Sequence, residues 1–207
     1  MTLVLHGYWR STAAYRVRIA LALKGLAYEQ VTLDLRTGAQ RDPAWLAINP
    51  QGLVPALDLD GEWVTQSGAI VELLDELHPD PPLLPADPLA RARARAMAAV
   101  IGSDIHPVNN LRVLNALRGL GADEAAVSGW IARWITEGFA AIEPQVAGPF
   151  ALGDAAGLVD CFLVPQVYNA ERFAVDLSAF PRLVAATAHA RAQPAFQAAH
   201  PDRQPDA

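Results

Sequence analysis

Hydrophobic spacing along the chain changes rhythm once, near residue 80. Before that point, short β-rich runs alternate with helical ones. Residues 2–5 are an apolar run and predict a strand. Residues 12–24 carry helical spacing that Gly25 ends. Residues 28–33 alternate and read as a second strand. Residues 42–48 suit a short helical turn. Residues 54–59 and 62–65 flank Asp60-Gly61, a strong two-residue hairpin signal. Residues 67–77 put Ala69, Ile70, Leu73, Leu74 and Leu77 on one helical face. Pro79, Pro81, Pro82, Pro85 and Pro88 then make residues 79–88 a stiff linker, since prolines cannot continue a helix.

After the linker the pattern is helical throughout. Residues 89–117 read as one long segment bent at Pro107. Residues 123–146, 158–170, 181–192 and 195–199 read as further helices. Arg91, Arg93 and Arg95 fan over about 200° of a helix, so they form no single basic stripe.

Composition narrows the class. A hydrophobic fraction of 52% is ample for a core. A net charge of −6 argues against nucleic acid or an anionic membrane as partner. No run reaches the roughly 18 apolar residues that span a bilayer, and the N-terminus lacks the pattern of a signal peptide. The single cysteine, Cys161, leaves no internal disulfide and no multi-cysteine metal site. In its apolar helix Cys161 reads as a buried small residue. The expectation is a cytoplasmic protein without a bound metal.

Chemistry concentrates where the first strand hands over to the first helix. Ser11 and Thr12 stand there, and hydroxyls are favoured at that place because they accept the unpaired N–H groups of the first turn. The same place attracts anions. A hydroxyl beside a helix N-terminus suits a thiolate. Tyr8, near the end of the first strand, is the rival hydroxyl. Gly157 and Asp160 hold the positions of a helix capping box, read as structural.

The string Ser11-Thr12-Ala13, followed by Tyr15-Arg16-Val17-Arg18-Ile19-Ala20-Leu21, resembles the active-site signature of zeta-class glutathione transferases. That signature is Ser-Ser-Cys followed by an aromatic-Arg-Val-Arg-Ile-Ala-Leu run; Ala13 stands here in place of the common Cys. The likeness extends over nearly the whole chain. It implies the glutathione transferase fold: an α/β thioredoxin-like domain over residues 1–80 and an all-α domain over residues 89–207. It also implies glutathione as cofactor, a homodimer, and a small dicarboxylate substrate.

Site roles follow from the same resemblance. Ser11, with Thr12 and Arg10 beside it, would activate the glutathione thiol. Val54, before a cis Pro55, would pair through its backbone with the cysteinyl part. Gln66 and Ser67, the latter as a helix cap, would hold the γ-glutamyl carboxylate. Gln40 would reach the glycine carboxylate, and His106 and Asn110 would contact glutathione from the second domain. Arg10 and Arg172 would clamp the substrate carboxylates, as guanidinium forks do. The implied reaction is cis–trans isomerisation of maleylacetoacetate to fumarylacetoacetate in tyrosine and phenylalanine breakdown. Alternatives are a maleylpyruvate isomerase, disfavoured by Leu111 where such enzymes can carry Arg, or a transferase acting on small halo acids. The intact set of Ser11, Val54, Gln66, Ser67 and Arg172 argues against a non-catalytic interaction module.

Overall fold

In the computed structural model, which describes residues 2–207, the first apolar run forms β1 (Leu3–Gly7). It extends past the expected end because His6 and Gly7 still pair, with Val31 and Thr32 on one side. Strand β2 (Glu29–Thr32) runs parallel to β1, and β3 (Ala56–Leu59) runs antiparallel on its other side. β4 (Glu62–Thr65) completes the order β2-β1-β3-β4. Asp60 and Gly61 join β3 to β4 with φ of 52° and 96°, the left-handed pair that a tight hairpin requires.

Strand alternation puts helices on both faces of this sheet. Leu5 and Leu57 are register partners and are fully buried, on the face covered by α1 (Thr12–Leu23) and α3 (Ser67–Leu77). His6 and Ala56 are partners on the other face. There His6 stacks at 5.5 Å on Trp45 of α2 (Pro43–Ile48) and meets the Trp63 ring edge-on at 4.8 Å. Gly7 is buried where β1 ends, and a Cβ there would lie 3.1 Å from that of Ala14. Glycine thus lets the strand end sit close against the first turn of α1.

The chain divides into two compact units, one running to Leu83 together with Ala192–Ala207, the other Leu84–Arg191. The C-terminal boundary therefore differs from the one read in the sequence. Helix α9 (Pro194–Ala199) packs on α1, and the tail after it stays with the first unit. Local periodicity marks residues 195–199 as helical but carries no information about which unit they cover. With α3 and α9 against it, α1 is buried from Thr12 to Leu21, arginines included.

In the second unit, α4 (Pro88–Ala99) opens on Asp87, whose carboxylate accepts the Ala90 N–H at 2.8 Å. The long segment expected over residues 89–117 is broken. Residues Val100–Ile105 form a π-helical turn in which His106 N–H reaches Ile101 C=O at 2.9 Å. A turn over residues 106–110 follows, and α5 (Leu111–Gly119) starts afresh on Asn110. Helices α6 (Glu124–Ile142), α7 (Leu158–Arg172) and α8 (Pro181–Arg191) complete the unit. A Cβ at Gly138 of α6 would collide with the Ile105 side chain, so glycine there makes room for the π-turn's buried isoleucine. Cys161 is fully buried on α7. Among the described residues no helix is long and apolar enough to cross a membrane, and no cluster of three potential metal ligands occurs.

Candidate active site

Strand directions alone bring most of the expected residues of the first unit to one edge of the sheet. β1 ends at Gly7 and leads into the loop that carries Arg10 and Ser11. β3 runs the other way, and its first residue, Ala56, pairs with His6 and Thr65. Val54-Pro55, which is a cis peptide, therefore lies at the edge where β1 ends. β4 finishes there too, at Thr65, and hands over to Gln66 and Ser67. β2 ends opposite Gly7, and the segment after it carries Gln40. Gly52, at φ +61°, sits so close to Gln40 that a Cβ there would lie 2.9 Å from the Gln40 carbonyl oxygen. The β2–α2 segment and the loop before Val54 are thus in contact.

Two helix N-termini open on this edge, those of α1 and α3. Each concentrates free N–H groups and positive dipole, which favours anions. Ser11 caps α1: its Oγ accepts the Ala14 N–H at 3.2 Å. This cap role and a catalytic one are compatible. The cap uses an oxygen lone pair and leaves the hydroxyl proton to donate. Ser11 is half-buried, whereas the Tyr8 hydroxyl is buried and has no hydrogen-bond partner among the described residues. Thr12 is buried in the first turn of α1. The Arg10 guanidinium lies 5.3 Å from the Trp9 ring centre.

At α3 the structure corrects one expectation. Gln66, not Ser67, holds the cap position, with φ at +70°, and Ser67 is the first helical residue. A left-handed φ on a non-glycine residue is costly and clusters at functional sites. The Gln66 side chain donates to Gln51 Oε1 at 2.7 Å. Ser67 is buried, and its Oγ accepts from Arg16 Nη1 at 3.2 Å. The hydroxyl proton of Ser67 is again left to donate.

Arg16 was not singled out as a site residue from the sequence. It is 3% exposed, and burial pulls its pKa down to about 9, still cationic at neutral pH. A signal existed: Arg16 and Arg18 interrupt a helix whose other positions are nearly all apolar or small. Buried charges are retained where a specific contact repays desolvation. Here the charge lies under the α3 N-terminus, where an anionic ligand group would be held. The Gln40 Oε1 atom is buried and has no partner among the described residues. Two helix N-termini, a buried cation and hydroxyls with protons to donate fit a multiply anionic thiol peptide.

The remaining candidates lie in the second unit. His106 and Asn110 share the turn that follows the π-helical stretch, and π turns recur at functional sites. Asn110 Oδ1 is used as a cap, accepting the Arg112 N–H at 3.1 Å, so its amide nitrogen is the atom left for a ligand. Arg172 is the last residue of α7 and is exposed. Its guanidinium lies 5.8 Å and 5.5 Å from the Tyr168 and Phe173 ring centres. The capping role of Asp160 is as expected: its carboxylate accepts the N–H groups of Gly157 and Ala151, each at 2.9 Å.

A thioredoxin-like sheet with a serine-capped α1, a cis Val54-Pro55 and an anion-attracting α3 defines a glutathione-transferase type of protein. Residues 1–76 match the family "Glutathione S-transferase, N-terminal domain". The maleylacetoacetate isomerase of Pseudomonas aeruginosa is 53% identical over 206 residues, covering 98% of this chain and 97% of that protein. A solved maleylpyruvate isomerase, described as a bacterial zeta-class glutathione S-transferase, superposes with a TM-score of 0.96 at 46% identity, covering 99% of each chain. The maleylacetoacetate isomerase of Anaeromyxobacter dehalogenans, solved with glutathione in its active site, superposes at 0.90 with 47% identity over 100% of this chain and 98% of that one. The chain belongs to the glutathione S-transferase family, in its zeta class, alongside the maleylacetoacetate and maleylpyruvate isomerases.

Proposed function

We propose that this chain catalyses the glutathione-dependent cis–trans isomerisation of maleylacetoacetate to fumarylacetoacetate. The observation that carries the reading is the convergence of Ser11, at the α1 N-terminus, with Ser67, at the α3 N-terminus above buried Arg16, on one sheet edge. Full-length similarity to isomerases of this type supports it. Bound glutathione would supply a thiolate that adds to the cis double bond, lets the bond rotate, and then leaves.

The chain's own residues prepare that chemistry. Ser11 keeps its hydroxyl proton for the thiolate while its oxygen caps the helix. A hydrogen bond to a charged group contributes about 1.5–3 kcal/mol, and the helix N-terminus roughly 0.3–1 kcal/mol. Together they lower a thiol pKa from near 8.5 by about one to three units. Val54 offers its backbone to the cysteinyl part, Gln66 and Ser67 hold the γ-glutamyl carboxylate, and Gln40 reaches toward the glycine end. The family likeness also assigns His106 and Asn110 to the peptide, and Arg10 and Arg172 to the substrate carboxylates. We include a homodimer and a cytoplasmic location in the same proposal, on the family likeness; sedimentation velocity tests the first.

Two substitutions probe the assignment separately. Arg172→Ala should raise KM for the dicarboxylate by about tenfold or more, the loss of one charge-assisted contact, and leave the glutathione Kd unchanged. An unchanged KM would remove Arg172 from the site. Arg16→Met should weaken glutathione binding by about tenfold in a calorimetric titration, because Ser67 loses the cation beneath it. Equal affinity in that variant would make Arg16 a core residue only.

The decisive assay couples maleylacetoacetate and glutathione to fumarylacetoacetate hydrolase and follows absorbance. A fast signal that vanishes without glutathione is expected. The second reading is maleylpyruvate, favoured by the 0.96 superposition on a maleylpyruvate isomerase. A strong preference for maleylpyruvate in the same format would replace the first reading with the second.

A further inference from the structure

The loop that delivers Ser11 is held from the far end of the chain. Trp9 precedes Arg10, and both of its backbone polar groups are engaged, the N–H by the tail and the C=O by α1. Its N–H donates to Asp206 Oδ2 at 2.9 Å. Its C=O accepts from Arg18 Nη2 at 2.9 Å, and the Nε of the same guanidinium donates to the Ala199 carbonyl at 3.0 Å. The second oxygen of Asp206 accepts from Gln30 Nε2 on β2 at 2.9 Å. One carboxylate thus ties the loop after β1 to the neighbouring strand.

The tail that brings Asp206 there is itself built. It leaves α9 through a 3-10 turn at Pro201–Arg203. Gln204, 8% exposed, donates back to the carbonyls of Ala198 and His200 at 3.0 and 2.8 Å. On the loop side, Ser11 N–H closes onto Tyr8 C=O at 2.9 Å. The turn from Tyr8 to Ser11 is therefore a closed unit, and Trp9 is the point at which it is gripped.

We propose that residues 200–207 form a strap, and that Asp206 is a positioning residue that fixes the Ser11 hydroxyl through Trp9. The carboxylate acts through the Trp9 N–H and touches no reacting atom. This rests on Ser11 serving the glutathione thiol. The strap explains why the tail belongs to the first unit and not to the helical one. It makes the aim of a hydroxyl near the start of the chain depend on a side chain near the end of the described residues.

The test compares full-length Asp206→Ala, Asp206→Asn and Gln30→Ala. Asn still offers an oxygen to Trp9, and Gln30→Ala leaves the Trp9 bond intact. Amide exchange at Trp9, read by NMR without glutathione, should quicken about tenfold or more in Asp206→Ala and little in the other two. With substrate, kcat should fall about tenfold in Asp206→Ala alone, while the glutathione Kd, set mainly at α3, holds. Unchanged Trp9 exchange overturns the strap. A kcat loss of the same size in all three variants, following their melting temperatures, overturns positioning in favour of a general anchor. A wild-type protein that binds no glutathione overturns the reading of the site, independently of the exchange result.

Discussion

Ser11→Ala is expected to lower kcat/KM by about a hundredfold and to move the acid limb of the pH–rate profile up by about one to two units. The argument is local. The hydroxyl of Ser11 has two jobs at one atom: its oxygen takes the Ala14 N–H, and its proton is left to donate at the helix N-terminus. Alanine removes both. Loss of the cap costs about 1 kcal/mol of stability. Loss of the donor returns the glutathione thiol toward its ordinary pKa and leaves less thiolate at neutral pH. Ser11→Thr restores oxygen and proton together and should recover most of the rate. Tyr8→Phe should change little, since that hydroxyl is buried. A full rate in Ser11→Ala, with the loss appearing in Thr12→Val, would transfer the role to the neighbouring hydroxyl.

The second large effect concerns folding. Asp160 is 2% exposed and satisfies two backbone donors, Ala151 and Gly157. Asp160→Ala orphans both, each at about 1–3 kcal/mol, so a drop of roughly 10 °C in Tm is expected. The same carboxyl makes stability depend on pH. Burial raises its pKa from 3.8 to about 6, outweighing the backbone hydrogen bonds and His189, which pull it down. The folded chain then holds this proton more tightly than the unfolded chain does. Its contribution is greatest below about pH 4 and falls, by about 3 kcal/mol, as pH rises through 6. Subtracting the stability curve of Asp160→Asn from that of the wild type isolates this slope. A difference that rises across the window would show that the two N–H bonds outweigh burial.

Much of the first unit can be read from local chemistry. Asp60-Gly61 supplies the two left-handed residues of the hairpin, and Ser11 marks the start of α1. Gly25 ends that helix in a left-handed conformation. What escapes is what depends on partners far away in sequence. The break after α4 is one case. Ile101 and Ile105 keep helical spacing across it, so the pattern carries on while the backbone inserts a wider turn, which Gly138 on another helix accommodates. Ser67 is a second case. A hydroxyl before an apolar run reads as a cap, yet the left-handed conformation of Gln66 moves the cap back by one residue. Arg16 and Asp206 are a third, since their meaning lies in contacts 51 and 197 residues away. Of the candidate residues, those on the edge of the sheet follow from strand direction once the pairing is known. His106, Asn110 and Arg172 rest on family likeness, because nothing in their own stretch of sequence distinguishes a ligand contact from a turn or a helix end.

The burial of Cys161, together with alanine at position 13, has a chemical consequence for a protein proposed to handle unsaturated acids. Such compounds are electrophiles that alkylate accessible thiols. The only sulfhydryl this chain owns is sealed inside α7, 0% exposed. The exchangeable peptide would then be the one soft nucleophile its substrate meets, so a misfired addition would consume a replaceable molecule and spare the catalyst.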